Sequence, residues 1–353
     1  MSIMNFFKNA KVRYLFARIG SSIVTLFFIL TVVFLLLRVL PEDKYIDYDS
    51  LTKLTEDQKQ VAIEKQLAKF GLDKPIYEQL FDYYYQIAPI PKEICVKEGY
   101  ESLESAKVVC LKKDTVLVNL GEPIRFKPKS TIGDIVGKRF PISFIISVVS
   151  VIIAYIIGYP MGVYMAMHKG KLFDKLGNGY IIALISVPGL VFYYMIIVLQ
   201  TNLGIPTIFD KGNIVTWITP ILSIGFLSSG GTAMWVRRYM VDEMNADYVK
   251  FARSKGLTET RIMFTHVLRN AFVYLARTFA STLLLAVVGS YFVENLWAIP
   301  GSGRLLIKSL QNGDLPLIQA LVVVYAILSM SAVLLGDLVT VMLDPRISLT
   351  KNK

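Results

Sequence analysis

Asp247 to Asn270 reads DYVKFARSKGLTETRIMFTHVLRN and lies between two long apolar segments. It carries five basic residues, Lys250, Arg253, Lys255, Arg261 and Arg269, against two acids, Asp247 and Glu259, with Arg277 just beyond. The pattern predicts a helix that breaks at Gly256 and Leu257 and restarts at Thr258, with Glu259 in the first turn of the second piece. A polar helix–Gly–helix held against a membrane is a surface for docking something in the cytosol.

The flanking segments decide the class. The chain has 353 residues, 54% of them hydrophobic and 18% charged, and its mean hydropathy of +0.51 is too apolar for a soluble protein of this length. Uncharged runs cover 19–37, 141–167, 176–209, 213–236, 278–293 and 315–336. A spanning helix needs about 20 apolar residues. Five runs meet that length, and the sixth does so when extended back to Phe272, at the cost of Arg277, which can snorkel. Six transmembrane helices are expected. The third run is longer than one span, and Asn202, Gly204 and Pro206 place its tail outside the membrane. The first run is too long for a cleaved signal, is followed by Arg38 and Pro41, and lacks a small-residue cleavage site, so it is expected to stay as helix one.

Charge sets the orientation. Eighteen Lys and Arg fall in the N-terminal tail, the loops near 169–175 and 237–277, and the C-terminal tail; the opposite short loops hold Lys211, Arg304 and Lys308. Both termini are therefore expected in the cytoplasm. The segment 41–139 is nearly neutral, with 16 basic and 17 acidic residues, so the net charge of +11 sits on the cytosolic face. Topology explains it, and nucleic acid need not be invoked.

The expected organisation is 1–40, tail and first helix; 41–139, an extracytoplasmic α/β insert; 140–346, the membrane core with a cytoplasmic loop at 238–276; and 347–353, a tail. In the insert, Thr55 and Gln58 have capping-box spacing, and Gly71 is expected to end that helix near Phe70. Pro75 opens a helix with Tyr77, Phe81, Tyr83, Tyr84 and Tyr85, which is either an amphipathic helix on the outer membrane surface or an ordinary packing face. A hairpin is expected over 106–118 with its turn at Lys112-Lys113-Asp114. Cys95 and Cys110 are either a disulfide pair or two free thiols. Pro188-Gly189, Gly158, Pro160 and Gly162 mark bends or tight contacts, and Ser228 to Gly231 allows close helix packing.

Chemistry is sparse. There is no G-x-x-x-x-G-K-[ST] phosphate loop, no H-E-x-x-H and no G-x-S-x-G, and His168 and His266 are far apart. No cofactor and no metal is expected. Asp337 is read as a cap or ion-pair partner near the inner surface or, alternatively, as an ion-coupling acid.

Motifs along the chain resemble the permease family of oligopeptide and dipeptide ABC importers. Arg38-Val39-Leu40-Pro41, Phe70-Gly71-Leu72-Asp73-Lys74-Pro75, Asn119-Leu120-Gly121 and Arg139-Phe140-Pro141 are similar to family signatures, although Glu42 stands where Gly is usual. So are Val293-Glu294-Asn295-Leu296-Trp297 with Ile299-Pro300-Gly301-Ser302-Gly303-Arg304, then Asp314-Leu315-Pro316-Leu317-Ile318-Gln319, and Leu343-Asp344-Pro345-Arg346. The resemblance covers all but roughly 92–118. Of the broad importer pattern E-A-A-x-x-x-G, Ala252 and Gly256 match, while Lys250 and Phe251 replace Glu and Ala. Leu268-Arg269 stands for the downstream L-P, a departure typical of the peptide branch.

The resemblance implies an all-α polytopic fold of the type I importer kind. It implies half of a pore made with a second homologous permease, two cytosolic ATPases, an extracytoplasmic peptide-binding protein, and a bacterial inner or plasma membrane. The chain would hydrolyse no ATP itself. Tyr248, Ala252, Lys255, Gly256, Leu257 and Arg261 would couple to the ATPase, and Glu294, Trp297, Pro300, Gly301 and Gly303 would form an external gate. Relatives sharing these motifs carry nickel or oligosaccharides, so such a cargo stays open. A secondary transporter without ATPases is the third reading.

Overall fold

The computed structural model describes residues 10–52, 55–100, 108–127 and 130–343. Their regular elements are helices except for one antiparallel hairpin, Lys92–Tyr100 with Val108–Val116. Among the described residues three helices are long and apolar enough to cross a membrane, Arg13–Arg38, Ile132–Met167 and Leu315–Leu343. Leu172–Ser186 and Gly189–Asn202 make a fourth when taken as one broken span. The other two expected spans fall on Val215–Met244 and Leu268–Leu285.

Two expected boundaries are corrected. The run at 176–209 is not one helix with a tail: its two pieces meet at a 94° bend. The cause is local. Val187 precedes Pro188, is pushed out of helical conformation (ψ 122°), and leaves a break of two residues. The helix of the run 278–293 does not continue to Val293. It passes into a short 3-10 turn, Ala286–Val288, and stops at Gly289, whose φ of 74° no helix can carry.

The chain folds as two compact units. One comprises 28–138 and 306–324. Here Gln58 accepts from the Thr55 amide at 3.2 Å and starts Glu56–Lys69 as a capping box. Gly71, at φ 68°, ends it, with the Leu72 amide reaching back to the Leu67 carbonyl. Arg38 lies between the rings of Phe34 and Tyr45, 5.2 and 5.1 Å from their centroids, and donates to the Phe70 carbonyl. Asp314 is fully buried and accepts from the amides of Ile124, Arg125 and Phe126. It thereby ties the start of Leu315–Leu343 to 124–126, around a core of Tyr45, Ile124, Leu315 and Ile318. The hairpin turn expected at Lys112-Lys113-Asp114 is not there. Those residues lie within the second strand, where Lys113 pairs with Glu93 at 3.0 Å. A cross-strand partner stabilises charge inside an exposed ladder, so the polar triplet does not mark a turn. Residues 101–107, which join the strands, lie outside the described residues.

The other unit holds 139–305, with the remaining parts of the first and last helices. Gly158 and Gly162 serve contact rather than bending. A Cβ on Gly158 would sit 2.5 Å from the Ser229 carbonyl oxygen, and one on Gly162 2.6 Å from that of Ala233. Ile132–Met167 and Val215–Met244 therefore approach backbone to backbone through small residues four apart.

Candidate functional site

Two places in the larger unit carry the residues singled out by sequence. The first is the polar segment. Asp247–Ser254 is a helix, and Gly256 follows at φ 75° with open space where a Cβ would point. The Gly256 amide donates to the Arg253 carbonyl and the Leu257 amide to that of Ala252, the paired closure that favours Gly at this point. Glu259–Ile262 restarts the helix from Thr258, and one wide π turn, Met263–Val267, leads into Leu268–Leu285.

The segment is anchored on one side only. Val249, Ala252, Ile262, Met263 and Val267 are buried with Val163 and Ala166, Val236 and Met240, and Ala271 and Leu275. These partners are the ends of three long helices. Fully burying each of Val249, Ile262 and Val267 contributes roughly 1.5–3 kcal/mol. Tyr248 and Leu257 pack against the same cluster, and the Tyr248 hydroxyl donates to Glu243 at 2.5 Å. Ala252, 5% exposed, thus faces the chain's own core and holds the segment down. The outward face carries Lys255, Arg261 and two residues that sequence reasoning passed over, Phe251 and Phe264, both more than half exposed. For Phe251 the signal was the 3.6-residue period, which turns it away from Val249; Phe264 lies in the π turn, where that period does not apply. Arg253 bridges to Glu259 by two hydrogen bonds of 2.7 and 3.1 Å, fixing the two short helices across the Gly256 turn. The guanidinium holds the Glu259 carboxyl below the usual carboxylate range. Nearby, Arg237 grips the buried Asp174 with both Nε and Nη2, at 2.6 and 2.9 Å.

The second place is the turn from Gly289 to Arg304. Glu294 is buried, accepting from the Ser143 hydroxyl at 2.7 Å and the Arg304 amide at 2.8 Å. The Ser143 hydroxyl oxygen accepts from the Ser302 amide at 2.7 Å, and the Tyr325 hydroxyl donates to the Ser302 carbonyl. Trp297 is fully buried; its Nε1 donates to Gln200 at 2.9 Å, and its carbonyl accepts from the Phe209 amide at 2.8 Å. Ala298 stands at φ 55° and Pro300 is half-buried, while Gly301 and Gly303 are buried. Glycine is required at 301 because a Cβ there would lie 2.4 Å from Glu294 Cδ. The five residues expected at an external gate are therefore brought together; Ser302 belongs to the same turn, while Ser143 and Gln200 join from helices that no local motif connects.

Asp337, 2% exposed in its side chain, is paired with Arg18 at 3.1 Å and Arg277 at 3.0 Å. The hairpin register sets Cys95 opposite Lys113 and Cys110 opposite Glu98. The disulfide expectation falls on side chains outside the described residues. Among the described residues no cluster of three or more His, Cys, Asp or Glu could hold a metal.

An irregular turn buried among apolar helices, with a polar segment anchored to helix ends, is the build of a membrane transport permease. Residues 158–349 match the model of the binding-protein-dependent transport system inner membrane component family, and the chain belongs to that family. It is a multi-pass membrane protein of the ABC transporter class. Across nearly its whole length it is similar to DppB, the dipeptide transport system permease protein of Lactococcus lactis. Identity is 27% over 339 residues, covering 96% of this chain and 100% of that protein. DppB of Bacillus subtilis is 26% identical over 348 residues, covering 96% and 99%. AmiC, an oligopeptide transport system permease protein of Streptococcus pneumoniae, is 32% identical over 191 residues, which is 53% of this chain but only 38% of that protein.

Proposed function

We propose that the chain is one pore-forming permease subunit of an ATP-driven peptide importer. It crosses the membrane six times with both termini in the cytoplasm, and works with a second permease, two cytosolic ATPases and an extracytoplasmic peptide-binding protein. The observation that carries this reading is the one-sided anchoring of 247–267 in a core formed by the ends of three long helices. A partner gripping the outward face, with Phe251, Lys255 and Arg261, displaces that core as a body, because close-packed interiors transmit strain rather than absorb it. Gly256 and the Arg253–Glu259 bridge keep the two short helices at a fixed angle, so the push is delivered rather than lost in the turn. ATP hydrolysis belongs to the partners.

At the other end, Glu294, Trp297, Pro300, Gly301 and Gly303 form a re-entrant outer gate. Irregular backbone at membrane depth is stable only when its polar groups are satisfied by protein, and the Ser143, Gln200 and Ser302 contacts do this. Asp337 favours this reading over ion coupling: it is paired with two arginines, Arg18 and Arg277, the setting of a structural ion pair.

The test is uptake of labelled peptide by the whole transporter in proteoliposomes, driven by ATP. Gly256→Val puts a β-branched residue at φ 75°, where it is strained. Insertion and assembly should be retained and ATP-dependent uptake lost. Uptake at the normal rate in that variant refutes the coupling role. Cysteines at 211 and 255 give an independent check: labelling from outside at 255 in intact cells inverts the topology and removes the ATPase argument.

A further inference from the structure

The helix Ile76–Ile87 packs on the last turns of the helix Arg13–Arg38. The Tyr84 and Thr31 hydroxyls are hydrogen-bonded at 2.7 Å, and the Tyr83 ring stacks on Phe34 at 5.2 Å. The span runs to Arg38. At 1.5 Å per residue, Phe34 and Thr31 lie roughly 6 and 10 Å below that end. An interfacial helix sinks its apolar face about 5–10 Å into the headgroup–acyl boundary.

The exposed side of the same helix is divided. Tyr77, Phe81 and Tyr85 recur every four residues in one stripe, and are 69%, 73% and 46% exposed. Next around the helix come Glu78 and Asp82, and Asp82 pairs with Lys74 at 2.6 Å. Tyr84, which reaches the spanning helix, borders the aromatic stripe on its other side. Around the axis the order is therefore spanning helix, aromatic stripe, acids. Polarity rises with distance from the span, as it does from acyl chain to headgroup to water. The far end is closed in the same spirit. Lys92, 5% exposed, donates its ammonium to the carbonyls of Tyr85, Gln86 and Ala88. These are last-turn carbonyls and the one just after, which would otherwise need water.

We propose that Ile76–Ile87 lies in the lipid headgroup–acyl boundary of the outer leaflet, with Tyr77, Phe81 and Tyr85 against lipid. This rests on reading Arg13–Arg38 as a span whose Arg38 end faces outside. The helix then fixes the depth of the first span and holds the insert at the membrane surface, without a pocket or a protein partner.

Photocrosslinking in native membranes tests it. p-Benzoylphenylalanine is placed at Tyr77, at Phe81, at Glu78 and at Phe28, which is exposed within the first span. After irradiation the full-length protein is purified with its complex and its adducts are weighed. Phospholipid adducts at 77, 81 and 28, in several-fold excess over 78, support the proposal. An adduct to another protein chain at 77 and 81 overturns it and makes the stripe a subunit contact. Lipid adducts at 28 alone also overturn it, placing the helix in water, and leave the importer reading intact. Lipid adducts at none of the positions remove the premise that 13–38 spans, and overturn both. Two stripe positions are used so that misfolding of one variant does not decide the outcome.

Discussion

Gly301→Ala offers a direct measure of how tightly the outer turn is built. The new Cβ would stand 2.4 Å from Glu294 Cδ, 2.4 Å from the Ser143 hydroxyl oxygen and 2.5 Å from Glu294 Oε2, all well inside contact distance. Neither neighbour can step back freely. Glu294 is tied at one oxygen to Ser143 and at the other to the Arg304 amide, and Ser143 also holds the Ser302 amide. Overpacking a close-packed site costs about 1–3 kcal/mol. A buried hydrogen-bonding group left unpaired adds about 1–3 kcal/mol. The loss is then roughly 2–6 kcal/mol, a large fraction of the 5–15 kcal/mol typical of a folded domain. The assay is the melting temperature of the purified protein in detergent, set against Gly179→Ala. Gly179 lies in Leu172–Ser186 with open space at its Cβ position, so alanine there should stabilise slightly through helix propensity. Ser143→Ala removes one of the two shortest contacts and should recover part of the loss in the double variant. If Gly301→Ala melts with the wild type, the buried network is not the constraint described, and the turn is a loose loop.

Three more outcomes are expected. Lys92→Met leaves the Tyr85, Gln86 and Ala88 carbonyls without their ammonium and should raise amide exchange across 84–92, at a cost of about 1–3 kcal/mol; unchanged exchange would show that water serves as well. Asp337→Asn weakens the charge pairing of Arg18 and Arg277 and should lower the melting temperature while sparing ATP-driven uptake per folded molecule; abolished uptake in fully folded protein would restore the ion-coupling reading. Arg253 keeps the Glu259 carboxyl ionised below its ordinary value of about 4.3, so the bridge holds from neutral pH down past that point and is lost only as pH falls through the lowered value. Exchange over 250–262, corrected for intrinsic rates, should therefore not respond to pH between 7 and 5, and a response in that range contradicts the bridge.

How far the sequence reached depends on the range over which each signal acts. Hydropathy located the long helices because lipid demands about 20 apolar residues in a row, and local stops such as Gly71 and Gly256 were readable because positive φ is a one-residue requirement. The failures came where a neighbour in space overrode a local cue. Lys112-Lys113-Asp114 has turn composition, but Glu93 on the facing strand supplies Lys113 with a partner. The break in the run over 176–209 was by contrast a local signal: Pro188-Gly189 marked a bend, and the restriction that Pro188 places on Val187 divides the run there.

The same distinction explains the candidate sites. In the polar segment Ala252 was expected at the partner's face, whereas it packs inward against the chain's own helices. An alanine between basic residues reads as surface until its i, i+3 spacing from Val249 is followed around the helix. The outer turn shows the limit of local reading more sharply. Glu294, Trp297 and the glycines form a visible cluster in sequence, yet the groups that make a buried carboxylate and a buried indole tolerable lie far away. Ser143 is 151 residues from Glu294, and Gln200 is 97 residues from Trp297. A serine and a glutamine inside apolar runs carry no sign of which acid or indole they will meet. What the sequence does hold is the demand itself: an acid next to a Pro-Gly turn among spanning helices must be satisfied by some helix. The requirement is therefore legible at Glu294, while the identity of the residue that meets it is fixed only by packing.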